Sequence, residues 1–147
     1  MPLTMRLKPG ERLIINGGVV RNASNRTVAL EVLNIVTTLH ERDLMLPEQA
    51  DTPLRAMYFQ IQVMHLEPEN HDRHYRAFID TSAQFYAARM QEDDAATCAL
   101  VTELISLVGE RSYPAALRRM QKEIGRPGDT RTAGAAAAKP EAVETEN

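Results

Sequence analysis

The fold of the N-terminal part is decided by residues 3–18, which read LTMRLKPGERLIINGG. Apolar and polar residues alternate over 3–8, which predicts a strand with one apolar face. A Pro-Gly pair at 9–10 then favours a tight turn, because proline fixes φ and glycine tolerates a positive φ. Residues 12–15 predict a second strand, and the Asn-Gly-Gly sequence at 16–18 is typical of a hairpin turn. The stretch therefore predicts short antiparallel strands.

Three more strands are predicted before the first helix. They cover residues 19–21, 27–33 and 35–40, and the last is rich in β-branched side chains. Several short strands separated by tight turns are typical of a compact antiparallel sheet or a small barrel. We therefore expect a β-rich module over residues 1–50.

Helical periodicity replaces the strand pattern after Pro47. Asp51 or Thr52 can cap a helix that has Pro53 at its first position and runs to about Leu66, although residues 58–63 could instead form a strand. Three further helices are predicted, at about 69–90, from the acids at 92–94 to Gly109, and from Ser112 to Ile124.

The whole pattern predicts an α+β protein with a bundle of about four helices over residues 51–125. Residues 126–147 show no apolar periodicity and contain no aromatic residue. Such a segment cannot bury enough apolar surface to offset its ordering entropy, so a disordered C-terminal tail is predicted there.

The composition excludes several classes of protein. Hydrophobic residues make up 44% and charged residues 25% of the chain, as in ordinary soluble domains. No apolar run approaches the roughly 20 residues that span a bilayer, and the N-terminus lacks the apolar stretch of a signal peptide. Cys98 is the only cysteine, so an internal disulfide and a four-cysteine zinc site are excluded. We expect a cytoplasmic protein without membrane contact.

No arrangement of residues indicates catalysis. His71 and His74 are three residues apart on a predicted helix and could share a face, but a solvated polar face is the expected role. Cys98 falls on an apolar stripe, where a small buried side chain is expected rather than a reactive thiol. We therefore predict no enzyme activity, no cofactor and no metal.

Positive charge is concentrated at the N-terminus. The first 26 residues contain five basic residues and a single acid, Glu11, although the net charge of the chain is −3. The basic residues are Arg6, Lys8, Arg12, Arg21 and Arg26. A local cationic surface can bind phosphates even on an acidic chain. A solvated strand surface without a ligand is the alternative.

Three motifs in the order found here resemble the FlbT family. They read LTMRLKPGERLIING at 3–17, LHERDLM at 39–45 and TPLRAMYF at 52–59. The resemblance covers about residues 1–120. FlbT proteins are flagellum-biosynthesis regulators of alphaproteobacteria. The resemblance implies post-transcriptional regulation: binding to the 5′ untranslated leader of flagellin mRNA, repression or activation through its stability or translation, and cooperation with a second small protein, FlaF.

The N-terminal half also resembles, more distantly, the CsrA family of mRNA-leader-binding proteins. That family has a Gly-Glu turn after its first strand, which Gly10-Glu11 matches, and an RNA-reading arginine near the end of its last strand. Arg42 is the nearest candidate, one residue later than the family position, which Glu41 occupies. The candidate RNA-binding residues are therefore Arg6, Lys8, Arg12, Arg21, Arg26 and Arg42.

Two functions remain open at this stage. The first is an RNA-binding regulator that uses the basic N-terminus. The second is a protein-interaction adaptor or chaperone that acts with FlaF through the helical half, without direct RNA contact. The second is motivated by four methionines, which suit adaptable surfaces but also suit a structural core: Met57, Met64, Met90 and Met120. Either function is compatible with a homo-oligomer.

Overall fold

A computed structural model describes residues 3–34 and 36–129 of the 147-residue chain. Within these ranges a β-rich N-terminal part precedes a helical part, which confirms the predicted α+β class. The described residues form five strands, arranged as two small antiparallel sheets, and then four α-helices.

The first sheet has two strands, β1 (Leu3–Leu7) and β4 (Val28–Val32). They pair antiparallel, from Leu3 opposite Val32 to Leu7 opposite Val28. The apolar face predicted for β1 is covered only at its C-terminal end, because Leu7 is buried while Leu3 is 50% exposed.

The second sheet has β2 (Arg12–Ile15) at its centre, between β3 (Gly18–Arg21) and β5 (Thr38–His40). Asn16 and Gly17 join β2 to β3 with φ angles of 48° and 86°, the two left-handed conformations of a type I′ turn. The predicted hairpin is therefore confirmed.

The last strand is shorter than predicted. The Thr37 carbonyl still accepts from the Asn16 N–H at 2.8 Å, in register with β2, but the Thr37 N–H donates to the Asn16 side chain at 2.9 Å rather than to the Asn16 backbone, and the ladder ends there. After β5, Glu41–Asp43 forms a 3-10 turn.

The helices are α1 (Pro53–Leu66), α2 (His71–Gln91), α3 (Ala95–Gly109) and α4 (Tyr113–Ile124). All four agree closely with the predicted positions. Residues 58–63, which could also have formed a strand, are helical.

Local chemistry explains where these helices begin. The Thr52 hydroxyl accepts a hydrogen bond from the Arg55 N–H at 3.1 Å and caps α1. Asp94 caps α3 in the same way through the Thr97 N–H at 3.1 Å. α2 begins two residues later than predicted, because Pro68–Asn70 forms a separate 3-10 turn.

The hydrophobic core lies among the helices and against the second sheet. All four helices contribute buried side chains, and Leu39 of β5 and the nearby Met45 join the same cluster. Three of the four methionines noted above, Met57, Met64 and Met120, are at most 1% exposed and belong to this core. The core interpretation of these three residues is therefore confirmed.

Hydrogen bonds fix the connection between sheet and helices. The buried Tyr58 hydroxyl donates to the Asp43 carbonyl at 2.6 Å. The Gln62 amide accepts from the Met45 N–H at 2.7 Å and donates to the Met45 carbonyl at 3.0 Å. Segment 43–45 is thereby held against α1.

The segment after α4 packs on the same connection. Arg126 pairs with Asp43 at 2.9 Å, and a Cβ on Gly128 would lie 2.6 Å from the Arg42 Cα. Residues 126–129, predicted as the start of a disordered tail, therefore contact the folded part of the protein. The remainder of the predicted tail, 130–147, lies outside the described residues.

Candidate nucleic-acid interface

A pair of predicted RNA-binding residues meets across the second sheet. Arg12 of β2 lies directly opposite Arg21 of β3, so both side chains project from the same face. Like charges at such a position destabilise a sheet unless an anion lies between or beside them. Glu41 supplies that anion to Arg12: one carboxylate oxygen accepts from the guanidinium at 2.8 Å and the other from the Arg12 N–H at 2.9 Å.

Arg12 thus has a partner within the chain. The sequence predicts it as an RNA contact, but the structure gives it an intramolecular carboxylate partner, which joins β2 to the 3-10 turn after β5. Arg21 is exposed. Of the two opposed arginines, Arg21 is therefore the better placed to meet an external anion.

A buried asparagine brings the two basic turns together. Asn22 is 7% exposed, and its side-chain N–H groups donate to the Leu7 carbonyl at 2.9 Å and to the Arg26 carbonyl at 2.8 Å. Its backbone bonds to the 8–11 turn, with the Gly10 N–H at 2.8 Å and the Glu11 carbonyl at 2.9 Å. These hydrogen bonds hold the end of β1, the 8–11 turn and the backbone at Arg26 close together.

Three exposed cations border this network. Lys8 follows Leu7, Arg21 precedes Asn22, and Arg26 carries one of the carbonyls that Asn22 binds. Arg6 is exposed on β1, two residues before Lys8. We call Arg6, Lys8, Arg21 and Arg26 the N-terminal cationic surface.

Glu11, the single acid among residues 1–26, is turned to other partners. One oxygen of the Glu11 carboxylate accepts from the Lys8 backbone N–H at 2.8 Å and lies 3.3 Å from the His40 ring. It closes the turn and contacts His40 rather than the side chain of an arginine or lysine. β4 brings a second acid to the region, because the exposed Glu31 lies opposite Thr4, on the face of β1 that carries Arg6. The excess of positive charge therefore persists around Lys8, Arg21 and Arg26.

His40 fixes the other side of the region. Its ring is 3% exposed, and Nδ1 lies 3.1 Å from the Arg42 N–H, which can only donate. Nδ1 is therefore the acceptor, and in the neutral ring Nε2 carries the proton and donates to the Arg6 carbonyl at 3.2 Å. One imidazole thus positions the backbones of both Arg6 and Arg42.

Arg42 itself lies beyond the sheet. It is exposed, but it belongs to the 3-10 turn after β5, and Gly128 packs against its backbone. His40 bonds both the Arg6 carbonyl and the Arg42 N–H, but Arg42 does not share a strand with the N-terminal cationic surface. Arg42 is therefore peripheral to that surface.

Sequence reasoning missed both buried residues that organise the site. For Asn22 the signal available was its residue type, since asparagine side chains commonly bond to backbone two residues on. Here its Oδ1 does accept from the Ser24 N–H at 2.9 Å. For His40 no local signal exists, because its partners are 29 or more residues away in sequence, apart from Arg42.

The histidine pair on α2 is engaged with carboxylates. His74 lies 3.0 Å from Glu67 and His71 lies 3.4 Å from Asp72. The hydrogen bond from His74 lowers the pKa of Glu67 below its usual value, with a second contribution from Asn70. Within residues 3–34 and 36–129, no group of three or more potential ligands is arranged to hold a metal ion. Nor is any helix in these ranges long and apolar enough to cross a membrane.

The fold and these contacts define a small α+β protein with basic side chains presented by short strands and their turns. Comparison with known proteins then gives its family. The model of the family "Flagellar protein FlbT" matches residues 3–125, so the chain belongs to the FlbT family. The resemblance found in the three sequence motifs is confirmed.

Several curated relatives carry the same name. The "Flagellum biosynthesis repressor protein FlbT" of Caulobacter vibrioides (strain ATCC 19089 / CIP 103742 / CB 15) is 39% identical over 85 residues, which cover 58% of this chain and 60% of the relative. A "Probable flagellum biosynthesis repressor protein FlbT" of Caulobacter sp. (strain K31) is 35% identical over 103 residues, 70% of this chain and 78% of the relative.

A third relative comes from another genus. A "Probable flagellum biosynthesis repressor protein FlbT" of Rhizobium leguminosarum bv. trifolii (strain WSM2304) is 38% identical over 104 residues, 71% of this chain and 68% of the relative. No solved structure matches the chain. The more distant likeness to the CsrA family therefore stays a prediction.

Proposed function

We propose that this protein regulates flagellum biosynthesis by binding the 5′ untranslated leader of flagellin mRNA and altering its stability or translation. Membership of the FlbT family and the repressor names of the relatives support the flagellar role. The N-terminal cationic surface supports the RNA contact. Such a regulator acts by occupancy, so no catalytic group is required.

The observation that carries the RNA contact is the arrangement around Asn22. Its hydrogen bonds hold the Lys8 turn and the 22–26 loop together, while Glu11 is engaged by backbone and imidazole. Exposed cations are thus carried by fixed backbone segments that lie close together. Phosphate contacts by such side chains supply most of the affinity for nucleic acids.

Base recognition would use groups other than aromatic rings. The chain contains no aromatic residue before Tyr58, so the strands lack the stacking platform of many RNA-binding domains. β3 is an edge strand of the described sheet and is exposed throughout. Its outer backbone groups, beside the Arg21 guanidinium, can meet the edges of unpaired bases.

The test is the salt dependence of affinity for a flagellin leader RNA. Each phosphate contact on single-stranded RNA contributes a slope of about −0.7 in log K against log salt. The double variant Arg21→Ala/Arg26→Ala is expected to reduce the slope by about 1.4, corresponding to two lost contacts. Arg118→Ala is the matched control, because Arg118 is an exposed arginine on α4.

Two results would reject direct RNA contact. One is the absence of leader binding at low salt. The other is an equal slope for the double variant and the Arg118→Ala control.

An adaptor or chaperone acting with a FlaF-type protein is the second candidate. One observation still favours it: Met90, unlike the three buried methionines, is 56% exposed on α2. If this candidate is right, FlaF-type protein copurifies equally well with wild type and with the Arg21→Ala/Arg26→Ala variant, and neither binds the leader. Leader binding that is lost in the variant contradicts it.

A further inference from the structure

α2 carries a second stripe of residues beside the one that enters the core, and two of its members, Ile79 and Tyr86, are half-buried and pack partly against the core. Its inward side buries Phe78 and Ser82. The outward residues recur at intervals of three and four and are exposed or half-buried, a spacing that places them along one line of the helix. They are Ile79, Ala83, Tyr86 and Met90, and we call them the α2 stripe.

The neighbouring helix α3 is separated from the α2 stripe by cavities. α3 contains one charged residue, Glu103, among 15, a composition typical of a helix covered on most sides. Two shallow cavities of about 410 and 370 Å³ run between α2 and α3, and both are lined by Tyr86 and Thr102. The α2 stripe therefore borders a groove whose smaller cavity has no charged lining residue and whose larger cavity is lined by two carboxylates, Asp93 and Asp94.

A polar atom inside the groove lacks a partner. Ser82 is fully buried and lines the smaller cavity, and its hydroxyl makes no hydrogen bond with a described residue. An unsatisfied buried hydroxyl is costly, and this one lies beneath the surface of the groove, with no exposed area of its own.

The two ends of the stripe carry opposite charges. Arg76 continues the line before Ile79, and Asp93 follows Met90 at the other end and lines the larger cavity. Neither makes an ion pair with a described residue, whereas the adjacent Asp94 is paired with Arg89 at 3.7 Å. The two ends of the stripe are therefore complementary in charge, because Arg76 stands at one end and Asp93 at the other.

We propose that this face binds a second copy of the chain, with the two α2 helices antiparallel about a two-fold axis. If the axis passes between Ala83 and Tyr86, Arg76 faces Asp93, Ile79 faces Met90, and Ala83 faces Tyr86 of the second copy. Each contact then pairs opposite charges, two apolar side chains, or a small side chain with a large one. A two-fold axis requires such self-complementarity, and each contact occurs twice.

In this register Tyr86 of the second copy lies beside Ala83 and covers the groove. The arrangement is independent of RNA binding, since it uses none of the N-terminal cationic surface.

Charge reversal tests the register directly. The oligomeric state is measured by sedimentation or light scattering over a wide range of protein concentration. Arg76→Glu and Asp93→Arg are each expected to weaken the dimer about tenfold, because each creates two like-charge contacts. The double variant Arg76→Glu/Asp93→Arg restores opposite charges and is expected to recover wild-type affinity.

Controls separate the interface from folding. Arg118→Glu makes the same reversal at an exposed position of α4 and should leave the dimer unchanged. Asp93 has a φ of 56°, so Asp93→Asn, which suits that conformation, serves as a second variant and should also weaken the dimer. Circular dichroism confirms that each variant is folded.

Three results would overturn the proposal. In the first, the chain is monomeric at every protein concentration; a monomer whose groove binds a helix of another protein also gives this result. In the second, the folded single variants dimerise as tightly as wild type. In the third, the double variant fails to recover the affinity that the single variants lose.

Discussion

Replacing Asn22 by alanine removes four side-chain hydrogen bonds at once. Its N–H groups donate to the Leu7 and Arg26 carbonyls, and its Oδ1 accepts from the N–H and the hydroxyl of Ser24. The contact with Leu7 is buried, whereas the other three are partly buried. The loop and the end of β1 lose their common attachment.

The size of the effect follows from burial. A carbonyl left unsatisfied in the interior costs about 1–3 kcal/mol, while partly buried groups regain water and each contribute about 0.5 kcal/mol. The free energy of unfolding should therefore fall by about 3 kcal/mol. With a urea dependence of about 1.5 kcal/mol per molar, the unfolding midpoint falls by about 2 M.

Urea unfolding followed by circular dichroism measures this change. Asn25→Ala is the matched control, because Asn25 is exposed in the same loop, and it should stay within about 0.5 kcal/mol of wild type. Asn22→Asp keeps the acceptor atom but places a carboxylate against two carbonyls, and it should be at least as destabilising as Asn22→Ala. If Asn22→Ala unfolds at the midpoint of Asn25→Ala, the role assigned to Asn22 is wrong.

Three further predictions concern the helical half and its attachment. Gly128→Ala should destabilise the protein by about 1–3 kcal/mol, because the new Cβ would lie 2.6 Å from the Arg42 Cα. The control is Gly109→Ala, whose Cβ meets open space and which should change the free energy of unfolding by less than about 0.5 kcal/mol in urea titrations. Similar values for the two variants would contradict the packing of residue 128. Met57→Ala should cost about 3 kcal/mol and Met90→Ala less than about 0.5 kcal/mol at a concentration where the chain is monomeric, and a reversed order would remove the distinction between core and surface methionine. Hydrogen bonds from Thr97, assisted by the Arg89 charge, lower the pKa of Asp94, so its stabilisation of α3 is full above the unfolded-state pKa and disappears as pH falls through the folded-state value. Asp94→Ala should therefore differ most from wild type near neutral pH and converge with it in acid; a difference that is constant with pH would exclude this linkage.

The strands, turns and helices were predictable because their signals are local. The Asn16-Gly17 pair adopts the two positive φ angles that its residue types favour, and Thr52 caps α1 as its position before Pro53 indicates. The clustering of basic residues at the N-terminus was also visible in the sequence, because turns only 10–15 residues apart are brought together by short antiparallel strands.

The partners of individual charges were not predictable. Arg12 is joined to Glu41 across 29 residues of sequence, and that pairing depends on β2 lying beside β5. The orientation of Glu11 away from the basic side chains likewise depends on the position of His40. Residues 126–129 have no apolar pattern. They pack against the connection between sheet and helices because Arg126 forms an ion pair with Asp43 and because Gly128 has no side chain to clash with the Arg42 backbone.

Photo-crosslinking tests the central claim most directly. A flagellin leader carrying 4-thiouridine is cross-linked to the full chain, and the attached peptides are identified by mass spectrometry. Cross-links should fall within residues 6–26 and should disappear in the Arg21→Ala/Arg26→Ala variant but not in Arg118→Ala. Cross-links confined to the helices, or none under conditions where the chain is folded, would contradict binding through the N-terminal cationic surface.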